Sequence, residues 1–318
     1  MARAAMSKLS WESHVLRPVQ NAPPAIIPTL IYGTAWKKDQ TADLVHQALG
    51  AGFRAVDTAA QPKHYREDLV GEGIRRALQD GYVRREDLHV QTKFTSVNGQ
   101  SPDNMPYDPK ASVTDQVHAS IKSSLHNLRP SGTADSVNDA YIDMLILHSP
   151  LPTMSQTLEA WSAVESYVPH QIRNLGISNT TLSILKELFA QAKVKPAVVQ
   201  NRFYADTQYD VPLRAFCREN QIIYQSFWTL SANPELIRSD AVQLLAHEAD
   251  ISPAAALYCL VLGLGYTTVL DGTTKRHHME ADLAALQKIE RFTENQPDLW
   301  QRMLKRFQQL TGDQQTVE

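Results

Sequence analysis

The sequence predicts an α/β protein, a single-domain (β/α)8 barrel, on three observations. Eight short apolar runs rich in branched residues alternate with amphipathic helical stretches along most of the chain. That alternation gives parallel strands joined by right-handed crossovers, and eight such strands close naturally on themselves. No G-x-G-x-x-G follows an early strand, which argues against the alternative, an open doubly wound sheet.

Residues 1–27 read as a polar, proline-rich lead-in carrying Pro18, Pro23 and Pro24. PTLIYGTAW is the first strand, broken at Gly33, and DQTADLVHQALGAG its helix, closed by glycine. FRAVDT precedes a helix over 65–79, and LHVQTKFT one over 112–128. AYIDMLILH is a nearly unbroken apolar run, as expected of a strand buried on both faces, with a helix over 155–167. IRNLGIS with TLSILKELFAQA and AVVQNRF with VPLRAFCREN are the fifth and sixth units. IIYQSF leads to helices over 241–248 and 253–262, and TTVLDG to HHMEADLAALQKIERF. The barrel, a TIM barrel, thus occupies 28–294, and 295–318 is a C-terminal tail expected near its mouth.

Composition narrows the function. Of the 318 residues 43% are hydrophobic and 20% charged, the balance of a globular chain with a large core. A formal net charge of -3 supplies no basic field for a polyanion, so nucleic acid is excluded as a partner in favour of a small molecule. No apolar run is long enough to span a bilayer, and MARAAMSKLSWESH lacks the apolar centre of a secretory signal, so the expected location is cytoplasmic, with no membrane partner. Cys217 and Cys259 lie in separate predicted helices, which is neither a disulfide framework nor a metal set. His277 and His278 lack a carboxylate partner, so no metal is expected.

In such barrels chemistry collects at the carboxyl ends of the strands. In chain order those ends deliver Trp36, Asp57 with Tyr65, Lys93, His148, Ser178 with Asn179, Gln200, Phe227 with Trp228, and Asp271. Tyrosine, lysine, aspartate and histidine together suit carbonyl reduction. An ammonium at Lys93 would lower the pKa of the Tyr65 phenol, Asp57 would hold Lys93, and neutral His148 would orient the substrate oxygen. Hydride must come from a cofactor. Ser178, Asn179 and Gln200 offer donors and acceptors for a nicotinamide carboxamide, and Phe227 a ring to stack on it.

GTAW, DTA…Y…VGEGI, QTKF, LILHSP, IRNLGISN and VVQNRF occur in an order and spacing that resemble the aldo-keto reductases across nearly the whole chain. The resemblance implies a catalytic tetrad of Asp57, Tyr65, Lys93 and His148, and NADP(H) as cofactor. It assigns cofactor contacts to Gly33, Thr34, Asp57, Ser178, Asn179, Gln200, Phe227 and Leu230, and at the last strand to Asp271, Gly272, Thr273, Lys275, His277 and Asp282. The substrate pocket would be Trp36, Tyr65, His148, Ser149 and Trp228, beneath a C-terminal segment that carries Trp300 over the mouth.

Four departures from the family pattern stand out. The interval from Asp57 to Tyr65 is eight positions, longer than usual, with AAQPKH where a shorter loop is common. Phe227 replaces a tyrosine as stacking ring. Asp271 and Gly272 stand where lysine and serine are typical, and His277 where arginine is, which keeps NAD(H) admissible because a carboxylate repels a 2′-phosphate. SVNGQSPDNMPYDPKA, after the third strand, is expected to shape substrate choice as a lid, whereas RPSGTADSVND falls at the opposite face. The expected activity is hydride transfer from NAD(P)H to the carbonyl of an aldehyde or ketone by a monomer or weak homodimer. Reduction of a C=N or conjugated C=C bond, and a cofactor-sensing regulatory subunit, remain open alternatives.

Overall fold

The computed structural model describes residues 11–313 apart from 21 and 23; Pro23, the first ten residues of the lead-in and residues 314–318 of the tail lie outside the described residues. Strands β1 (Ser13–Val15) and β2 (Ile26–Pro28) form an antiparallel hairpin. The barrel follows, made of β3 (Leu30–Gly33), β4 (Ala55–Asp57), β5 (His89–Phe94), β6 (Ile142–Leu147), β7 (Ile172–Ser178), β8 (Val198–Arg202), β9 (Ile223–Phe227) and β10 (Thr267–Asp271). All eight pair in parallel, and β10 closes on both β9 and β3. The (β/α)8 barrel read from the sequence is the architecture observed.

The helices are α1 (Thr41–Ala51), α2 (Glu67–Gln79), α3 (Val113–Asn127), α4 (Met154–Glu165), α5 (Leu182–Gln191), α6 (Val211–Glu219), α7 (Pro234–Arg238), α8 (Asp240–Glu248), α9 (Pro253–Gly263), α10 (Arg276–Asn295) and α11 (Pro297–Thr311). Many begin where a hydroxyl can satisfy a free backbone N–H. Ser112, Thr153, Thr181, Ser239 and Ser252 each accept one, at α3, α4, α5, α8 and α9. Gly52 ends α1 at a φ of 119°, in the left-handed region that glycine adopts without strain.

Alternation along the strands creates two cores. Ile31, Ala55, Met144, Ile146 and Ile223 fill the lower barrel interior, while a larger cluster fills the space between strands and helices. The β1–β2 hairpin stoppers the amino-terminal end. Thr29 N–H donates to Glu12 O at 2.9 Å, His14 Nε2 lies 2.9 Å from Thr267 O, and Leu16 and Ile27 are buried beneath the barrel. The opposite end is left as the open one.

The C-terminal tail departs from expectation. Residues 297–311 form α11, which packs along the barrel flank on α8, α9 and α10 instead of folding over the mouth, and only its end reaches the segment after β8, where Asp313 pairs with Arg214 at 2.7 Å. Trp300 meets Trp11 edge-on at 5.4 Å, beside Gly263. Trp11 leads into the hairpin beneath the barrel, so this pair belongs to the closed end. The amphipathic period of α11 explains the difference: Trp300, Met303, Leu304 and Phe307 form one apolar stripe, and the flank is where such a stripe is buried. Among the described residues no helix is long and apolar enough to cross a membrane.

VGEG packs α2 tightly. A Cβ at Gly71 would lie 1.9 Å from the Asn127 carbonyl oxygen that ends α3, a contact that only backbone movement could relieve. Gly71→Ala is therefore expected to destabilise by about 1–3 kcal/mol. Gly132, with open space at its Cβ position, is the control, and Gly132→Ala should stay within about 0.5 kcal/mol. Urea midpoints at unchanged slope would measure both.

Candidate active site

A buried ion pair lies under the open end. Lys93 Nζ donates to Asp57 Oδ1 at 2.8 Å, to Asp57 Oδ2 at 2.6 Å and to Thr58 O at 2.8 Å, which uses all three of its protons. Asp57 Oδ1 also accepts from Gln91 Nε2 at 2.6 Å and Gln200 Nε2 at 2.9 Å. Gln225 completes the layer: its Oε1 accepts from both of those amides and its Nε2 donates back to Gln91 Oε1 at 2.9 Å. A carboxylate can only accept, so it fixes which way each amide points.

Tyr65 lies over this layer, with its ring centroid 5.0 Å from Lys93 Nζ and 6.0 Å from the His148 ring. The long AAQPKH interval is taken up in a turn, where His64 and Tyr65 N–H both donate to Gln61 O. Gln61 Nε2 donates to Gly99 O at 2.6 Å, and Trp36 N–H to His64 O at 2.8 Å. Just beyond, Glu67 is held by Ser124 and Asn127 of α3 and by Thr92 of β5, which anchors the start of α2.

Tyr65 is shifted in the direction opposite to the one expected from Lys93. Burial raises the phenol pKa, and the nearby Asp57 charge raises it further. Burial also draws Lys93 below its usual value, with Asp57 opposing. His148 is pulled down to about 3 by burial, then by the nearby Lys93 and His64. Its Nδ1 lies 2.6 Å from Thr95 Oγ1; with that hydroxyl donating, Nε2 carries the ring proton.

Asp57, Tyr65, His148 and Gln200 form the floor of a cleft of about 810 Å³, within the range that small-molecule sites occupy, while Lys93 is buried outside its lining. Gly33, Trp36, Ser178, Asn179, Gln200, Phe227, Trp228 and Leu230 line it, as does His64, which stacks on Trp36 at 3.8 Å. Ser178 Oγ donates to Gln200 O at 2.6 Å, and Asn179 Nδ2 to His148 O at 2.9 Å. Since Gln200 Nε2 is also engaged, this wall presents acceptors, Asn179 Oδ1 and Gln200 Oε1, in place of the mixed donors and acceptors expected.

The cleft runs on to the end of β10, where Asp271, Gly272, Thr273 and Asp282 line it together with Lys37 and Tyr258. Burial raises the carboxyls of both Asp271 and Asp282, and the Asp271 charge carries Asp282 further, to about 8. Asp271 Oδ1 accepts from Thr273 N–H at 2.9 Å, whereas its Oδ2 is buried and unpartnered. Burial lowers Lys37, whose ammonium reaches the Gly272 carbonyl.

Several assigned residues fall outside the cleft lining. Thr34 is buried, its hydroxyl donating to Asp57 O at 2.8 Å, and so acts on β4 from behind. Ser149, Lys275 and His277 do not line the cleft. On α10 it is His278, Ala281 and Asp282 that do, at the three- and four-residue spacing of one helix face. The His277 and His278 rings meet edge-on at 4.2 Å. Nor does the segment after β5 hang free: Tyr107 Oη and Gln100 Nε2 bind Thr95 O and Ala60 O, and no residue from 96 to 111 lines the cleft. Thr95, Gln91 and Gln225 were missed by sequence reasoning, although strand alternation places Gln91 one pleat below Lys93 on the same face. A second cavity, of about 860 Å³, lies at the stoppered end beside the hairpin, remote from all these groups.

The sequence profile of the Aldo/keto reductase family matches residues 29–233. The chain is 28% identical over 261 residues to an uncharacterized oxidoreductase of Schizosaccharomyces pombe, covering 81% of this chain and 82% of that one. It is 29% identical to an NAD(P)H-dependent D-xylose reductase of Pachysolen tannophilus over 55% of each chain. It is 25% identical to the methylglyoxal reductase DkgB of Escherichia coli O157:H7, over 81% and 87%. An aldo-keto reductase of the silkworm, Bombyx mori, superposes with a TM-score of 0.69 at 20% identity, covering 87% and 83% of the two chains. With a family profile spanning most of the chain and this barrel beneath it, the protein is a member of the Aldo/keto reductase family.

Proposed function

We propose that this chain reduces the carbonyl of an aldehyde or ketone with NADP(H), and that Tyr65 supplies the proton. The observation that carries the reading is the meeting of Tyr65, His148 and Asp57 on the floor of one cleft, with Lys93 paired to Asp57 and 5.0 Å from the Tyr65 ring, beside a wall of open acceptors. Relatives named as reductases of xylose and methylglyoxal, and a structural neighbour complexed with NADPH, support the same class.

The residues present fit a nicotinamide cofactor. Asn179 Oδ1 and Gln200 Oε1 face the cleft as acceptors for a carboxamide NH2, and Phe227 offers a ring face. When bound, the reduced nicotinamide would supply the hydride. His148 donates through Nε2 to the carbonyl oxygen, and its neutrality leaves Lys93 as the cation beneath the floor. Tyr65 then passes its proton to the oxygen as charge develops there. The raised phenol is no obstacle, because an alkoxide is a stronger base than a phenolate, and it keeps the donor protonated in the resting enzyme. Lys93 stabilises the phenolate left behind, and the Asp57 amide layer holds Lys93 beneath the ring.

Three outcomes test this. Tyr65→Phe should lose nearly all carbonyl reduction, by at least about 100-fold in kcat, with NADPH binding retained; a variant as fast as wild type would refute the assignment.

The pH dependence follows from the shifted groups. Reduction needs Tyr65 protonated and His148 neutral; the first stays protonated past its usual value, and the second stays neutral down to about 3. The kcat for reduction should therefore be flat from about pH 5 to 9, with no histidine limb near 6.5. Alcohol oxidation, which needs the phenolate, should climb throughout that range; a reduction limb near pH 6.5 would contradict the neutral His148.

At the far end, Asp271→Asn should tighten NADPH relative to NADH by about threefold or more, measured as a ratio of Kd values, if the Asp271–Asp282 pair faces the 2′-phosphate. An unchanged ratio would place the phosphate elsewhere.

A further inference from the structure

One cation of the cleft has no task in the reading above. Arg202 is the last residue of β8, two positions beyond Gln200, so alternation places it on the same face, one pleat nearer the mouth. It lines the cleft. Its guanidinium lies 4.1 Å from the Trp228 ring centroid, 5.0 Å from that of Tyr204 and 5.8 Å from that of Phe227. Those faces favour the cation but, among the described residues, no oxygen accepts from its N–H groups.

Arg202 Nε is buried with no hydrogen-bond partner, and among the described residues no carboxylate pairs with this side chain. The contrast with its neighbours is informative. Lys37, the other lysine or arginine lining the cleft, donates to the Gly272 carbonyl, Lys93 below is saturated by Asp57 and Thr58, and Arg66 nearby on the rim is paired with Asp39 and Asp68. A buried donor left unpaired is costly unless a ligand satisfies it. The planar fork of a guanidinium matches a two-oxygen anion. The Asp271 carboxyl at the far end of the cleft disfavours such a group, which leaves the Arg202 side as the place where an anion gains.

We propose that Arg202 is an oxyanion subsite of this cleft. The anion it holds is carried by the ligand, either as an acid group on the carbonyl substrate or as the diphosphate of the cofactor. The substrate half of this inference rests on the carbonyl-reductase reading, and the binding chemistry does not. A purely structural arginine, stacked only to brace Trp228, would leave anion binding indifferent to its replacement.

Equilibrium titrations followed by intrinsic tryptophan fluorescence distinguish these cases. Wild type, Arg202→Met and Arg202→Lys would each be titrated with benzoate, with its neutral isostere benzamide, and with NADPH. Arg202→Met should bind at least one of the two anions about tenfold or more weakly than wild type, with benzamide unchanged, and the difference should shrink in high salt. Arg202→Lys should recover part of the loss, since it restores charge without the fork. A loss confined to benzoate assigns the subsite to an acidic substrate, and one confined to NADPH assigns it to the diphosphate. The proposal is overturned if Arg202→Met keeps wild-type affinity for both anions, if benzamide weakens equally, or if wild type binds neither anion. No turnover enters these measurements, so a failure of Tyr65 as proton donor would leave their outcome intact, and the converse holds as well.

Discussion

Lys93 Nζ and Asp57 Oδ2 lie 2.6 Å apart with 1% and 2% of their side chains exposed, at a depth where neither charge could stand alone. Removing one partner of such a pair leaves an uncompensated buried charge, at a cost of about 3–5 kcal/mol. The pair is tolerable because the Lys93 ammonium is saturated by Asp57 and Thr58 O and the carboxylate accepts from two glutamine amides as well. Gln91, Gln200 and Gln225 act here as one hydrogen-bonded unit whose polarity is dictated by the carboxylate. The same polarity turns Gln200 Oε1 toward the cleft. The electrostatics of the floor and the chemistry offered to a carboxamide are thus set by one interaction.

The position of Tyr65 depends on a different kind of constraint. Extra chain between Asp57 and the phenol would leave it mobile if unsupported, yet hydrogen bonds from Gln61 to Gly99 and from Trp36 to His64 tie the loop to its two neighbours. Glu67 fixes the helix that follows to β5 and α3. The segment after β5 therefore braces the loop that carries the proposed proton donor and does not cover the cleft as a lid. Its buried Tyr107 and Gln100 contribute the bracing.

Strand ends were legible because a parallel barrel delivers the residue after each apolar run to the same face. That is how Asp57, Lys93, His148 and Gln200 could be placed together before any coordinates. Helix faces were less legible. Whether His277 or His278 faces the cleft depends on the phase at which α10 leaves β10, and a shift of one residue turns a side chain by about 100°. The tail misled for a related reason: the amphipathic stripe of α11 announces burial but does not name the surface that buries it.

By itself the sequence determined the alternation of eight strands and helices, the polar residues that end them, and hence a barrel with its chemistry at one end. Only the tertiary structure decided what those residues do to one another. The direction in which Tyr65 is shifted depends on its burial and on the Asp57 charge near it, and the unpaired state of Arg202 depends on which aromatic faces surround it. Both are matters of distance and burial between residues remote in the chain. Electrostatic and hydrogen-bond energies vary steeply with those two quantities, and local sequence pattern does not encode them.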